Sequence, residues 1–143
     1  MNDIVEIRFS GISENEGFAR ICAAAFAART DPTIEELADI KTAVSEAVTN
    51  AVIHAYPDGP GEVVLRCETK GAAVRFTVSD EGRGIEDIAR AREPFYTTAE
   101  GDERSGMGFT VMETFMDTVE VTSAPRKGTT VVLEKRIAGG EDI

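Results

Sequence analysis

Glu46 and Asn50 are the first pair of side chains in the chain whose types and spacing could do chemistry. They are four residues apart in a segment of helical periodicity, so they stack on one face of the predicted helix. A carboxylate and an amide oxygen placed in this way can hold a divalent metal, or the carboxylate can act as a base towards a hydroxyl. Taken alone, however, the pair is more typical of two polar residues that face water. His54, one turn further along, is given no role.

A second candidate segment runs from Asp80 through Gly82 to Gly84 and directly follows the apolar residues of a predicted strand. Two glycines separated by one residue let the backbone turn sharply and let a flat ligand approach without a Cβ in the way. The aspartate at the strand end could accept a hydrogen bond from an amine, such as the exocyclic amine of adenine. Taken alone, this composition is also that of a common tight turn.

A third segment, Ser105-Gly106-Met107-Gly108-Phe109, opens a predicted helix. Glycines there expose backbone N–H groups, and a helix N-terminus attracts anions, so the segment is suited to binding phosphate. Hydroxyl and guanidinium groups just upstream, on Thr97, Thr98 and Arg104, could add donors. The segment is not a P-loop, because methionine and glycine follow Gly106 where that motif has lysine and a hydroxyl residue.

The elements that must position these residues can be predicted from periodicity and turn signals. The predicted helices cover residues 14–30, 33–55 and 107–116, and the predicted strands cover 3–9, 62–68, 72–79, 119–123 and 129–136. Thr33 and Glu36 form a capping box that marks the start of the second helix. Residues 81–108 are predicted to be a long loop, of the length typical of functional lids or disordered segments. This order predicts a two-layer α/β sandwich, with helices on one face of a mixed, mostly antiparallel sheet.

Length and composition predict a single globular domain over residues 1–143, since 42% of the residues are hydrophobic and 29% are charged. The net charge of −11 argues against direct binding of nucleic acid and permits a basic protein partner. The chain shows no signal peptide and no apolar run that could span a bilayer, so we expect a cytoplasmic protein without membrane contact. Cys22 and Cys67 form no CxxC pair and are expected to be buried thiols.

Together and in this order, the three segments resemble the ATP site of the Bergerat fold, which gyrase and the histidine kinases share. The combination is far more specific than any one part. Three longer segments resemble a narrower group, the bacterial anti-sigma factors that also act as serine kinases, and especially those that control sporulation sigma-F. These segments are 45–51 (SEAVTNA), 94–98 (PFYTT) and 104–109 (RSGMGF), and the resemblance covers essentially the whole chain.

The resemblance implies roles for the candidate residues on the second predicted helix and after the strand that ends at Asp80. Glu46 would be the general base for the acceptor serine, and Asn50 would ligate a Mg²⁺ ion that bridges the phosphates. Asp80 would bind the adenine amine, while Gly82 and Gly84 would shape its pocket.

The resemblance also implies a lid around the phosphates, support for the adenine site and a contact with partners. Thr130 would support Asp80, and Arg20 on the first predicted helix would contact the partner proteins. Relatives often carry lysine where this chain has Ala99, so Arg104 would be the main source of positive charge in the lid. They also often carry glycine where this chain has Ala55, a difference of little consequence. The lid residues implied are Thr97, Thr98, Arg104, Ser105, Gly106 and Gly108.

The function implied is that of an ATP- and Mg²⁺-dependent protein serine kinase, active as a homodimer. It would bind and inhibit sigma-F and would phosphorylate its antagonist, an anti-anti-sigma protein. One alternative is the related kinase that controls a general stress factor of the sigma-B type. Another is a module that binds ATP or ADP only as a conformational ligand. Glu46 beside Asn50 argues against this last alternative, because binding alone needs no base.

Overall fold

A computed structural model of the chain describes residues 3–55, 61–82, 108–123 and 126–138. The α-helices in these ranges are α1 (Glu14–Ala27), α2 (Ile34–Asn50) and α3 (Gly108–Phe115). A short 3₁₀ turn, Ala28–Thr30, extends α1, and a π-helical turn, Ala51–Ala55, extends α2. The strands are β1 (Ile4–Ser10), β2 (Glu62–Lys70), β3 (Ala73–Asp80), β4 (Thr118–Ser123) and β5 (Thr129–Arg136).

The five strands form one sheet in the order β1-β2-β3-β5-β4. Each of the four pairings in the described part of the chain is antiparallel, so the sheet predicted to be mixed and mostly antiparallel is antiparallel throughout this part. The Gly71 turn between β2 and β3 has φ +61°, a left-handed conformation that glycine adopts without steric cost. The predicted fold class, an α/β sandwich of the Bergerat type, is confirmed.

Both long helices begin or end at the signals read from the sequence. Asp31 takes a left-handed conformation with φ 57° just before Pro32, and this ends the helical run that starts in α1. At the start of α2, the Thr33 hydroxyl accepts from the Glu36 N–H at 3.0 Å, and the Glu36 carboxylate accepts from the Thr33 N–H at 2.9 Å. These reciprocal bonds satisfy two backbone donors that the first turn would otherwise leave unpaired.

The core lies between the helices and one face of the sheet. Every second residue of the central strands points towards the helices. The helices pack against these residues with alanines and with larger apolar side chains. Phe76 on β3 is fully buried and packs edge-on against Phe26 of α1, with ring centroids 6.5 Å apart. Cys67 is buried and Cys22 is half-buried, and both are free thiols. Burial is the main cause that raises the pKa of the Cys67 thiol to about 12.

One lysine ties the two helices that carry candidate site residues. The ammonium of Lys135 on β5 donates to the carbonyl of Phe115, the last residue of α3, at 2.8 Å. The same nitrogen lies 3.5 Å from the carboxylate of Asp39 on α2. A cation at the end of a helix also interacts favourably with the helix dipole, so this residue fixes α3 against α2. None of the helices in these ranges is long and apolar enough to cross a bilayer.

Candidate active site

Asp80 ends β3 and is held by two backbone donors. Its Oδ1 atom accepts from the N–H of Gly82 at 2.9 Å and from the N–H of Thr129 at 3.3 Å. Burial raises the pKa of this carboxyl, and the two N–H groups lower it again in part. Because both donors use Oδ1, the contacts within the described part of the chain leave Oδ2 as the acceptor for a ligand. This is the arrangement that recognition of an amine requires.

Thr129 reaches Asp80 because the two residues pair across β3 and β5, at the end of the sheet. On its other side Thr129 pairs with Ser123 of β4. The Ser123 hydroxyl donates to the carbonyl of Gly128 at 2.8 Å and lies 2.9 Å from the Thr129 hydroxyl. One edge of the sheet, where β3 and β4 end and β5 begins, therefore carries a row of three polar residues, Asp80, Thr129 and Ser123.

Gly128 packs directly on the backbone of Asp80. It has φ +83°, and a Cβ added to it would lie 2.1 Å from the Asp80 carbonyl oxygen and 2.8 Å from the Glu81 Cα. Side-chain patterns did not indicate this residue, because its contribution is the absence of a side chain. The left-handed conformation and the close approach make it a part of the site that the sequence analysis missed.

Thr130, predicted to support Asp80, lies one residue further along β5 and pairs with Ser79. Its hydroxyl is 3.5 Å from the Ser79 hydroxyl, at the outer limit of a hydrogen bond. The direct contact from β5 to the Asp80 carboxylate comes from the backbone of Thr129. The role of Thr130 at the adenine remains a prediction.

Glu46 and Asn50 lie four residues apart in the C-terminal half of α2, as predicted, and both are half-buried. The opposite side of this helix half, with Val44 and Val48, is in the core. The Glu46 Oε2 atom has almost no solvent exposure. A half-buried carboxylate on a helix anchored in this way is held in a defined orientation, as a base needs to be.

The elements that carry the candidate residues pack against one another. The π-helical turn that continues α2 packs against β3, the strand that ends in Asp80, and α3 packs along α2. Gly108 is the first residue of α3 and is half-buried. The other lid and pocket residues of the prediction lie outside the described residues, and their roles remain predictions: Gly84, Thr97, Thr98, Arg104, Ser105 and Gly106.

The donor set fits a nucleotide with a magnesium ion. Asp80 offers an acceptor for an amine, and Glu46 and Asn50 offer oxygen atoms of the kind that Mg²⁺ prefers. Within the described ranges no three acidic, cysteine or histidine residues cluster as a metal cage. Mg²⁺ at phosphate sites is typically held by one or two protein oxygens, with the phosphates and water completing its coordination.

Arg20, the predicted partner contact, lies on α1 with its side chain 41% exposed. Its guanidinium is 3.7 Å from the carboxylate of Glu16, one turn before it. Glu16 in turn accepts from the hydroxyl of Ser45 on α2 at 2.8 Å. Two apolar side chains further around the same helix are largely exposed, Phe18 at 57% and Ile21 at 62%.

Known families and proteins match most of the chain. The model of the histidine kinase-like ATPase domain family matches residues 14–135. An anti-sigma F factor from Caldanaerobacter subterraneus is 54% identical over 136 residues, which is 95% of each chain. One from Oceanobacillus iheyensis is 48% identical over 144 residues, covering 100% of this chain and 99% of the relative.

Solved structures agree on the fold. The catalytic domain of the histidine kinase ThkA has a TM-score of 0.56 and 17% identity, over 94% of this chain and 96% of that one. The structure of the RsbU and RsbW domains of a Mycobacterium tuberculosis protein has a TM-score of 0.68 and 22% identity. This match covers 94% of our chain and 32% of that longer one.

The fold and the family match define an ATP-binding domain, and the chain belongs to the family of histidine kinase-like ATPase domains. Its full-length relatives define the group more narrowly. Within that family the chain is a member of the anti-sigma F factors. This membership confirms the predicted class, an ATP-binding anti-sigma factor of the serine kinase type.

Proposed function

We propose that this protein binds and inhibits the sporulation factor sigma-F and that it phosphorylates, with ATP and Mg²⁺, a serine of the anti-anti-sigma protein that opposes it. The name shared by relatives with 48% to 54% identity over nearly the whole chain supports sigma-F as the target, rather than a stress factor of the sigma-B type. Because a sigma factor acts with RNA polymerase, we place the protein in the cytoplasm.

The observation that carries the nucleotide part of the proposal is the hydrogen bonding of Asp80. With Oδ1 bound by two backbone donors, the ionised carboxylate presents Oδ2 to the ligand. Adenine offers an amine at this position, whereas guanine offers a carbonyl oxygen, which is another acceptor. An acceptor left unpaired in a buried site costs about 1–3 kcal/mol, or roughly a tenfold to hundredfold loss of affinity.

The roles proposed on α2 are those that the resemblance implies, and the placement of Glu46 and Asn50 one turn apart supports them. The Glu46 carboxylate accepts the proton of the attacking serine hydroxyl and aligns that hydroxyl with the terminal phosphate. The amide oxygen of Asn50 would hold Mg²⁺, which neutralises phosphate charge when bound. Catalysis of this kind is mostly positioning and charge stabilisation, so a rigid helix anchored in the core is a suitable support.

The partner surface is proposed at Arg20. Arginine is enriched at the centres of interfaces, and its guanidinium suits a carboxylate on a partner. Phe18 and Ile21, further around the same helix, are largely exposed and supply apolar area of the kind that protein contacts bury. We propose that the exposed surface of α1 around Arg20 serves sigma-F and its antagonist, and that the exposed apolar side chains of this helix also support the homodimer.

Phosphoryl transfer can be tested with labelled ATP, Mg²⁺ and the anti-anti-sigma protein, by measuring label on serine. Glu46→Gln keeps the size of the side chain but removes the base. It should retain ATP binding and lose transfer by on the order of 10²–10⁴-fold. Glu35→Gln, an exposed residue in the first turn of the same helix, is the matched control and should transfer at the normal rate.

Two outcomes would contradict the proposal in different ways. Transfer at the normal rate by Glu46→Gln would show that another group is the base. A wild-type protein that binds ATP and sigma-F but transfers no phosphate would be an ATP-regulated binding module instead.

A further inference from the structure

Ser123 is remote from the motifs of the site, yet it is joined to Asp80 through Thr129. Residues 80, 129 and 123 pair in register at the end of strands β3, β5 and β4. The contact between Thr129 and Asp80 is made by a backbone N–H, at 3.3 Å the longer of the two bonds to Oδ1. Small movements of Thr129 will therefore weaken this bond first.

The hydrogen bonds of Ser123 have a defined direction. A serine hydroxyl has one proton, and Ser123 donates it to the carbonyl of Gly128. The second contact of the Ser123 oxygen, 2.9 Å from the Thr129 hydroxyl, must then be accepted by Ser123 and donated by Thr129. The Ser123 hydroxyl thus contacts both the Gly128 carbonyl and the Thr129 side chain. These two groups flank the Thr129 nitrogen, whose N–H donates to Asp80.

We propose that Ser123 is a specificity-determining positioning residue for the adenine site, because its hydroxyl fixes the peptide of residues 128 and 129 so that Thr129 donates to Asp80. This inference rests on the proposed role of Asp80 as the acceptor for the adenine amine. It adds a residue to that site without assigning it any contact with the nucleotide.

The chemical reason lies in the protonation of Asp80. An ionised carboxylate can only accept, so it pairs with adenine and rejects guanine. A protonated carboxyl can instead donate to the carbonyl of guanine. Burial favours the protonated form of Asp80, and the N–H groups of Gly82 and Thr129 oppose it. Loss of the Ser123 hydroxyl loosens one of these two donors and therefore weakens the discrimination between the bases.

Calorimetric titration of the full chain with Mg-ATP and with Mg-GTP tests this inference. Ser123→Ala should lose about threefold to tenfold in ATP affinity, the net effect expected for one neutral hydrogen bond, while GTP affinity stays constant or increases. The ratio of the two affinities should fall accordingly. Ser123→Thr restores the hydroxyl and should restore the ratio. Thr118→Ala, an exposed residue at the far end of β4, should keep the wild-type ratio.

Asp80→Asn separates the failure of this inference from a failure of the proposed site. If Asp80→Asn keeps the wild-type preference for ATP, Asp80 is not the adenine acceptor and the site itself is wrong. If Asp80→Asn loses the preference but a folded Ser123→Ala protein keeps it, only the role of Ser123 is overturned. A loss in Ser123→Ala that Ser123→Thr does not restore would assign the effect to backbone distortion and would also overturn it.

Discussion

Gly128→Ala is the substitution whose effect the structure defines most closely. The added Cβ would lie 2.1 Å from the carbonyl oxygen and 3.0 Å from the carbonyl carbon of Asp80. These are backbone atoms, so no flexible side chain can turn aside. Since non-bonded carbon atoms are most stable about 3.5–4.0 Å from their neighbours, the Asp80 peptide or the Gly128 turn must move by about 1 Å or more.

The cost has two parts. Alanine in the left-handed conformation at φ +83° costs about 1–2 kcal/mol. Relief of the overlap costs about 1–3 kcal/mol more, as overpacking does in other well-packed sites. Relief of the overlap displaces Asp80, the residue proposed to bind the adenine. A displacement of about 1 Å at a binding group can cost up to about a hundredfold in function.

Gly71→Ala is the matched control, because Gly71 has φ +61° and no atom lies within 4 Å of its added Cβ. It should lose only the conformational part, measured by chemical or thermal unfolding, and should bind ATP normally. Gly128→Ala should lose more stability and at least about tenfold in ATP affinity. If Gly128→Ala binds ATP as tightly as Gly71→Ala does, the packing of Gly128 on Asp80 does not position the adenine site.

Two further predictions concern charge. Because the ionised carboxylate is the stronger acceptor for the adenine amine, ATP affinity should fall as the pH is lowered through the raised pKa of Asp80, and Asp80→Asn should remove this dependence. The folded state holds this proton more tightly than the unfolded state, so the free energy of unfolding should fall as pH rises from the ordinary pKa of aspartate to the raised one; a rise would contradict this. Arg20→Glu places a like charge beside Glu16 and should weaken binding of sigma-F and of its antagonist by about tenfold or more, with ATP affinity unchanged. Pull-downs with each partner measure this. Lys41→Glu, at an exposed residue of α2, makes the same charge change and is the control. Equal binding by the two variants would show that Arg20 is not in the interface.

The fold could be predicted largely because local signals and the global pattern agree. The capping box at Thr33 and Glu36 and the Asp31-Pro32 break fixed the ends of two helices to within a residue. The end of α2 was less accurate, since the predicted helix to residue 55 changes at Asn50 into a π-helical turn. Nothing in the side chains of this segment signals such a change.

The site could be predicted where side chains carry its chemistry and not where the backbone does. Glu46, Asn50 and Asp80 have functional groups that can be read from the sequence. The contributions of Thr129 and Gly128 are an N–H group and a missing Cβ, and both act across the pairing of β3 with β5. Residues so far apart in the chain become neighbours only once the strand register is known.

The contact of Lys135 with Phe115 anchors the C-terminal end of α3, in addition to the packing of this helix along α2. A helix of eight residues is about 12 Å long, so a rotation of about 5° around the held end displaces Gly108 by about 1 Å. The held end is also tied to α2 through Asp39, so the pivot does not move relative to the helix that carries Glu46. A small change of angle at the anchored end would thus become a displacement at the end predicted to meet the phosphates.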